Sequence, residues 1–329
     1  MSCRAEPISV SLPRVEERKR LRAVWMLLLA TVCWGMSFPL MKGLVLLQER
    51  LLPNANVWFI TAQTSTARFG LAAIVLALVF APRMRGFTRL DVKLGVGLGF
   101  FAGTGTLFQM AALSQTLAST SAFLTQFYVL LLPLWGVLWH RRRPSWLPCS
   151  CCALVIVGMG ILCSLHWNDW RLGRGEWLTL LAALLFTGNI LWLDDREFVS
   201  ADKLRATVAM FASIAVILLP VAIWQAPANN SWWGVYLLPG MSVMLLALVV
   251  VSTLVAYTLM NVWQPHLKPT HAGLIYCAEP VFASFYALFA PALLAQLGTF
   301  SYANESVTWN LLVGGALITL ANVLVQYDR

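Results

Sequence analysis

Residues 269–289 read PTHAGLIYCAEPVFASFYALF. At about 1.5 Å per residue the run is long enough to cross a hydrocarbon core about 30 Å thick, yet Glu279 sits midway along it. One other charge holds a comparable position: Arg68, halfway along the apolar run 58–80. Both lie roughly 13–16 Å from their nearer membrane face, too deep to reach it by snorkelling. A lone ionised group at that depth costs on the order of 3 kcal/mol even on the lenient insertion scale, so burial against a partner or water is expected. The expectation is that Glu279 and Arg68 face one internal cavity. The alternative is that the pair, or either residue alone, only locks helices together.

The rest of the composition fits a membrane-embedded chain. Of 329 residues, 59% are hydrophobic and 11% charged, with a mean hydropathy of +0.73. Soluble domains carry roughly a quarter charged residues. The net charge of +9 does not mark a nucleic-acid partner, because the basic residues cluster between apolar runs and form no stripe. Seven cysteines show no disulfide-framework spacing. Cys149, Cys151 and Cys152 near His140 lack the second ligand cluster that a zinc site needs, so no metal or other cofactor is expected. The basic run Arg18 to Arg22 precedes an apolar stretch too long for a cleaved signal peptide, which reads as a retained signal anchor.

Residues 1–22 read as a cytoplasmic tail. Ten spans follow, at about 23–45, 58–80, 95–114, 118–139, 147–165, 175–193, 204–224, 236–260, 269–290 and 308–326. With the N-terminus inside, one side holds Arg4, Arg14, Arg18, Lys19, Arg20, Arg22, Arg83, Arg85, Arg89, Lys93, Arg141 to Arg143, Arg196, Lys203, Arg205, Lys268 and Arg329. The other side keeps Lys42, Arg50, Arg171 and Arg174, so the positive-inside rule puts both termini in the cytoplasm. A repeat underlies the spans. Trp25-Met-Leu-Leu-Leu-Ala30 opens the first and Trp177-Leu-Thr-Leu-Leu-Ala182 the sixth. Thr120-Ser-Ala-Phe-Leu124 enters the fourth and Thr270-His-Ala-Gly-Leu274 the ninth, at an offset of 150; Ala153-Leu-Val-Ile156 in the fifth is echoed by Ala316-Leu-Ile-Thr319 in the tenth. Five spans per unit is an odd number, so the second unit enters upside down, an architecture that transporters use around a midplane site. The expected fold is therefore all-α and polytopic: ten transmembrane helices as two inverted five-helix repeats, 23–165 and 166–329, around a central cavity.

Several motifs carry a family resemblance. Trp34-Gly35-Met-Ser-Phe38 with Lys42, Arg68-Phe69 and Ala278-Glu279-Pro280-Val281-Phe282 resemble the EamA-type branch of the drug/metabolite transporter superfamily. The stretch Ala122-Phe-Leu-Thr-Gln-Phe-Tyr-Val-Leu-Leu-Leu-Pro133, followed by Arg141-Arg-Arg-Pro144, is similar to that family's fourth-span region. The resemblance covers about residues 23–326. It implies ten helices in two inverted halves and a central cavity through which small metabolites move, often outward. Members commonly place a Gly-Glu pair just after the fourth and ninth helices; here those regions read Trp139-His140-Arg141 and Gln296-Leu297-Gly298.

Helical spacing selects the polar groups that share a face. Thr61, Thr64, Ser65 and Arg68 form one stripe; Ser121, Thr125 and Tyr128 a second; Thr253, Tyr257, Asn261 and Gln264 a third. Tyr276, Glu279, Ala283 and Tyr286 form a fourth, with Glu279 between two phenols. Such stripes avoid lipid and face either a water-filled path or another helix. Pro39, Pro133 and Pro280 lack an N–H and can free the carbonyls of Gly35, Val129 and Tyr276, unless their kinks serve packing alone. Trp34 and Phe38 could form an aromatic wall for a flat or cationic substrate, or pack as ordinary core. No Walker loop, HExxH or intramembrane serine setting occurs, and the four histidines lie at span ends.

These residues read as a secondary transporter in the inner (plasma) membrane of a bacterium, moving an amino acid, amine or similar metabolite by alternating access, with export the expected direction. Its partners are the lipid bilayer and a small-molecule substrate; a homodimer is compatible with the sequence but not read from it. Glu279 is the candidate proton or cation site and Arg68 its counter-charge or a substrate anchor. Trp34, Phe38, Thr64, Thr125, Tyr128, Tyr257, Asn261, Tyr276 and Tyr286 are the candidate path. The rivals are an uncoupled facilitator in which Glu279 and Arg68 form a permanent salt bridge, and an intramembrane enzyme or scaffold subunit.

Overall fold

The computed structural model describes residues 12–140, 146–162, 172–227, 230–267 and 269–324. Arg4, Arg141 to Arg143, Arg171, Lys268 and Arg329 lie outside these, as do His166 and Trp170 and the side chains of Pro133, Cys149, Cys152, Trp232 and Trp233.

The described chain is helical, without strands. It runs α1 (Leu12–Gly35), α2 (Ser37–Leu51), α3 (Val57–Val79), the short α4 (Ala81–Met84), α5 (Arg89–Leu113), α6 (Ala118–Thr125), α7 (Tyr128–His140), α8 (Trp146–Leu162), α9 (Arg174–Leu193) and α10 (Lys203–Trp224). Then come α11 (Pro239–Ala247), a π-helical segment (Leu248–Val255) and α12 (Ala256–Trp263). The last four are α13 (Pro269–Tyr276), α14 (Glu279–Ala287), α15 (Ala290–Gly298) and α16 (Trp309–Leu324). Local chemistry sets several starts. Asn56 caps α3 by accepting from Phe59 N–H at 2.8 Å. Thr88 and Asp91 form a capping box on α5, and Asp202 caps α10 through Leu204 and Arg205 N–H.

Among the described residues seven helical stretches are long and apolar enough to cross a membrane. The bent pair α14 and α15, at 56° to one another, is an eighth if counted as one span. All ten expected stretches contain helix, but α8 and α16 have 17 and 16 residues. The ninth differs most. One run was expected over 269–290; the chain instead stops at Tyr276, restarts at Glu279 and turns again into α15. Pro280 and Pro291 explain both restarts, since each sits in the first turn of its helix, where a missing N–H breaks no intrahelical bond. The fourth span carries the same break, between Thr125 and Tyr128. The two pairs of helix ends correspond at an offset of 151, one residue from the sequence offset and within the uncertainty of helix ends.

The packing is that of a protein in lipid. Leu78, Val79, Val216, Ile223 and Trp309 are more than half exposed, whereas Thr31, Gln48, Thr64, Arg68 and Glu279 are buried. Close approach depends on small residues. Along α5, a Cβ on Gly95 would lie 2.4 Å from Ala209 Cβ, and one on Gly99 2.7 Å from Ser213 Cβ, so these glycines let α5 and α10 pack backbone to backbone. At Gly35 a Cβ would meet Phe282 Cβ at 2.7 Å and Ala283 N at 2.9 Å, which brings α1 against α14.

Contacts between helices follow an exchanged pattern. α6 packs on α14 and α7 on α13; α1 packs on α13 and α14, and α9 on α6 and α7; α3 pairs with α10, and α8 with α16.

Candidate transport cavity

Where α1, α2, α3, α5, α6, α7, α9, α12, α13 and α14 converge, they border a cavity whose atom-free space, counted out to its mouth, is about 570 Å³. Arg68 and Glu279 both line it, with Trp34, Thr125, Tyr128, Tyr257 and Tyr276.

Arg68, 2% exposed, reaches from α3 toward the π-helical segment. Its Nε–H donates to Thr253 Oγ1 at 2.6 Å, one Nη to Ser252 O at 3.4 Å and the other to Met41 Sδ at 3.4 Å. Thr253 Oγ1 donates in turn to Leu248 O at 3.0 Å, a bond to the carbonyl five residues back that matches the wide π turn. Glu279 begins α14 and is 8% exposed; its partner is Gln126, whose Nε2 donates to Oε2 at 3.4 Å from the break between α6 and α7. Among the described residues Arg68 and Glu279 form no ion pair. The permanent salt bridge of the facilitator reading is therefore not present, because the hydroxyl and carbonyl of the π segment hold the guanidinium instead.

An aromatic corner stands beside these charges. Trp34 meets Tyr257 and Tyr276 edge to face, at centroid distances of 5.3 and 5.5 Å. The Trp34 indole N–H is buried and has no hydrogen-bond partner among the described residues. Tyr276 O–H donates to Gln264 Oε1 at 2.9 Å, and Gln264 Nε2 to Ile190 O at 3.3 Å, which ties α13 and α12's end to α9. Thr125 accepts from Gln109 Nε2 at 3.1 Å.

The other candidates lie elsewhere. Phe38 is fully buried among Leu40, Met41, Leu44 and Phe59. Thr64 accepts from Gln48 Nε2 at 2.7 Å, in a buried chain that continues through Gln63 to Tyr236. Asn261 turns to α10, donating to Thr207 Oγ1 at 3.0 Å. Tyr286 packs on Phe285 and Phe289, because the break before Glu279 ends the stripe that was expected to join it to Tyr276. Sequence reasoning missed Ser37, Thr106, Gln109, Phe186 and Asn189 on the cavity wall. Thr106, Gln109 and Asn189 were detectable as single polar residues within apolar runs; Phe186 carried no such signal.

A polar lattice gathers at the N-terminus of α6. Glu305, in the segment before α16, accepts from Ala118 N–H at 2.9 Å and from the Ser119 hydroxyl. Lys42 donates to Thr116 O at 2.7 Å, and Thr116 Oγ1 to Glu176 at 2.8 Å.

A family model described as the EamA-like transporter family matches residues 21–164. An uncharacterized transporter of Archaeoglobus fulgidus is 28% identical over 281 residues, 85% of this chain and 81% of the relative. A crystal structure shares the fold at a TM-score of 0.58 and 15% identity, covering 92% of this chain and 96% of that one. The first half of the chain thus matches the EamA-like transporter family, and the described helices are those of a polytopic membrane protein.

Proposed function

We propose that the protein is a secondary transporter that carries a small metabolite across the bacterial inner membrane by alternating access between two inverted five-helix units, 23–165 and 166–329. The observation that carries this reading is a cavity at the crossing of two like-broken spans, α6–α7 and α13–α14, whose contacts exchange between the halves. Swapping the first unit's helices for their counterparts turns α6 on α14 into α13 on α7, and α1 on α13 and α14 into α9 on α6 and α7. A pseudo-two-fold relation gives such a machine two alternative closures of one site. Both termini lie in the cytoplasm on the positive-inside count, which puts the Glu305 lattice on the outer side. Export is the direction the family resemblance favours. Glu279 is the proton or cation site, and Arg68 the counter-charge or anchor.

The test joins the halves. In a background whose native cysteines are replaced, Ser119→Cys with Glu305→Cys should form a disulfide that stops exchange of a transported metabolite in liposomes until it is reduced. That metabolite is found first, as the compound whose distribution across the membrane shifts in overexpressing cells against a vector control. Undiminished exchange through the oxidised protein would overturn alternating access at this junction.

A further inference from the structure

We infer that Gln126 is a positioning residue that carries the charge state of Glu279 to the hinge of the fourth span, through an amide that turns over when the carboxyl gains a proton; this rests on the transport reading above. Gln126 is 1% exposed and sits at the break between α6 and α7. Its Nε2 donates to Glu279 Oε2 at 3.4 Å, while its Oε1 is buried without a hydrogen-bond partner among the described residues. That arrangement suits an ionised Glu279, which only accepts. A hydronium ion in the cavity, which Glu279 lines, can give its proton to a carboxylate oxygen and leave as water. The carboxyl then has an O–H to donate, and the orphan Oε1 becomes its acceptor once the amide turns about its last torsion. Each charge state therefore fixes one orientation of the amide, because the mismatched pairings set N–H against O–H or oxygen against carboxylate.

The placement turns this flip into a hinge event. By the offset of 151 that relates the helix ends, Glu279 corresponds to Tyr128 and Gln126 to Cys277, so the halves differ in these residues where they cross. Two like halves would leave the alternative closures equivalent here; the unlike pair lets the charge of Glu279 choose between them. The pair ties the end of α6 to the first residue of α14. At its other end α6 enters the outer junction, where Ala118 N–H donates to Glu305 at 2.9 Å. With eight residues, about 12 Å of helix, α6 transmits a shift at Gln126 to Ala118 as a rod. The ionisable groups that face Glu279 are Tyr128, Tyr257, Tyr276 and Cys277, with Arg68 on the same cavity wall. Of the elements packed on α14, α6 and α15 carry no ionisable side chain, and α1 offers Cys33 and its basic start. α2 offers Glu49 and two cations bonded elsewhere, Lys42 to Thr116 O and Arg50 to Thr299 O.

The experiment follows the outer end of α6 in liposomes, in a background whose native cysteines are replaced. A membrane-impermeant thiol reagent labels Ala118→Cys, fully buried here, and its rate is scaled to that of the exposed Asn54→Cys so that the reagent's own pH dependence cancels. The scaled rate should change roughly ten-fold between about pH 5 and about pH 9, the response that one buried hydrogen bond can supply. Glu279→Gln should hold the rate at its low-pH value throughout, since its amide offers the N–H that stands in for the carboxyl O–H. Gln126→Met keeps the volume and loses both amide groups. It should flatten the response while Glu279 still titrates, read from the infrared band of the protonated carboxyl, which Glu279→Gln identifies by removing it. If the Met variant does not fold, Gln126→Asn decides, because its shorter arm keeps the amide, loses the reach and should flatten the response too. A wild-type rate independent of pH, or a Gln126 variant with the full response, overturns the inference. So does flattening with loss of the infrared titration, since Gln126 would then only hold the carboxyl in place. Liposomes loaded with total metabolite extract separate the two readings. Exchange by a protein whose labelling ignores the charge of Glu279 sinks the inference and leaves transport standing. No exchange of any kind sinks transport, while a pH response that needs Gln126 still upholds the switch.

Discussion

The Nε–H of Arg68 on α3 donates to the hydroxyl of Thr253 at 2.6 Å, and Thr253 sits within a π-helical turn whose Leu248 carbonyl its own side chain engages. This one hydroxyl links the buried cation to the irregular stretch of the eighth span. Thr253→Val keeps the shape and removes the acceptor. Losing a hydrogen bond to a buried charged group should cost about 1.5–3 kcal/mol, read as a lower melting temperature in detergent. Thr253→Ser should recover most of it. A Val variant as stable as wild type would show that the link contributes nothing.

Glu279→Gln should be well folded. Because the carboxylate has no cationic partner among the described residues, removing its charge leaves no newly orphaned cation, and stability should change by less than about 1 kcal/mol. If Glu279 couples transport to protons, the variant still exchanges substrate across liposomes but cannot accumulate it against a gradient. Gradient-driven uptake at the wild-type rate and pH profile would instead favour a different coupling site or an uncoupled facilitator.

Gly35→Ala tests the closest approach of α1 to α14. The added methyl would sit 2.9 Å from the Ala283 backbone nitrogen, a contact that backbone cannot relieve by changing rotamer. We expect roughly 1–3 kcal/mol of destabilisation and a fall in transport, since the neighbouring Trp34 is displaced with the helix. Unchanged stability and transport would mean that the junction has slack.

Asp202 provides the pH-dependent prediction. Burial by itself would push its carboxyl up, but hydrogen bonds from Arg83 and from the Arg205 and Leu204 N–H groups outweigh it and hold it below the usual carboxylate range. A group that is more acidic folded than unfolded stabilises fully above its unfolded pKa of about 3.9, and that contribution is lost as pH falls through the lower folded value. Asp202→Ala should therefore cost about 1 kcal/mol at neutral pH as a lost helix cap, and the gap from wild type should narrow on acidification. A gap independent of pH would remove the charge from the account.

Accessible-thiol labelling checks the orientation. Single cysteines near Arg196 should react only from the cytoplasmic side and those near Asn54 only from outside. Reaction of both from the same side would break the inverted arrangement of the two units.

Hydropathy and charge placement made much of this chain legible. Lipid accepts only apolar surfaces with internally bonded backbone, so apolar runs of the right length announce membrane helices directly, and a charge deep in such a run, as at Arg68 or Glu279, announces an interior-facing position. The motifs around Trp34, Arg68 and Glu279 likewise carried the family resemblance, and the first two lie within the residues that the family model matches. Sequence periodicity located part of the cavity wall: the stripes supplied Thr125, Tyr128, Tyr257 and Tyr276 but missed Ser37, Thr106, Gln109 and Asn189 and misplaced Tyr286. It assumes one continuous helix, whereas the breaks at Gln126–Phe127 and Cys277–Ala278 change the facing of everything beyond them, which detached Tyr286 from Tyr276. Whether Arg68 would meet Glu279 or Thr253 was settled by the packing of α3 against the π segment, a contact between residues 185 positions apart. No local pattern encodes that choice, because hydrogen-bond partners across helices depend on crossing and rotation, and those are fixed only when the small residues, Gly35 and Gly95 among them, let the backbones close together.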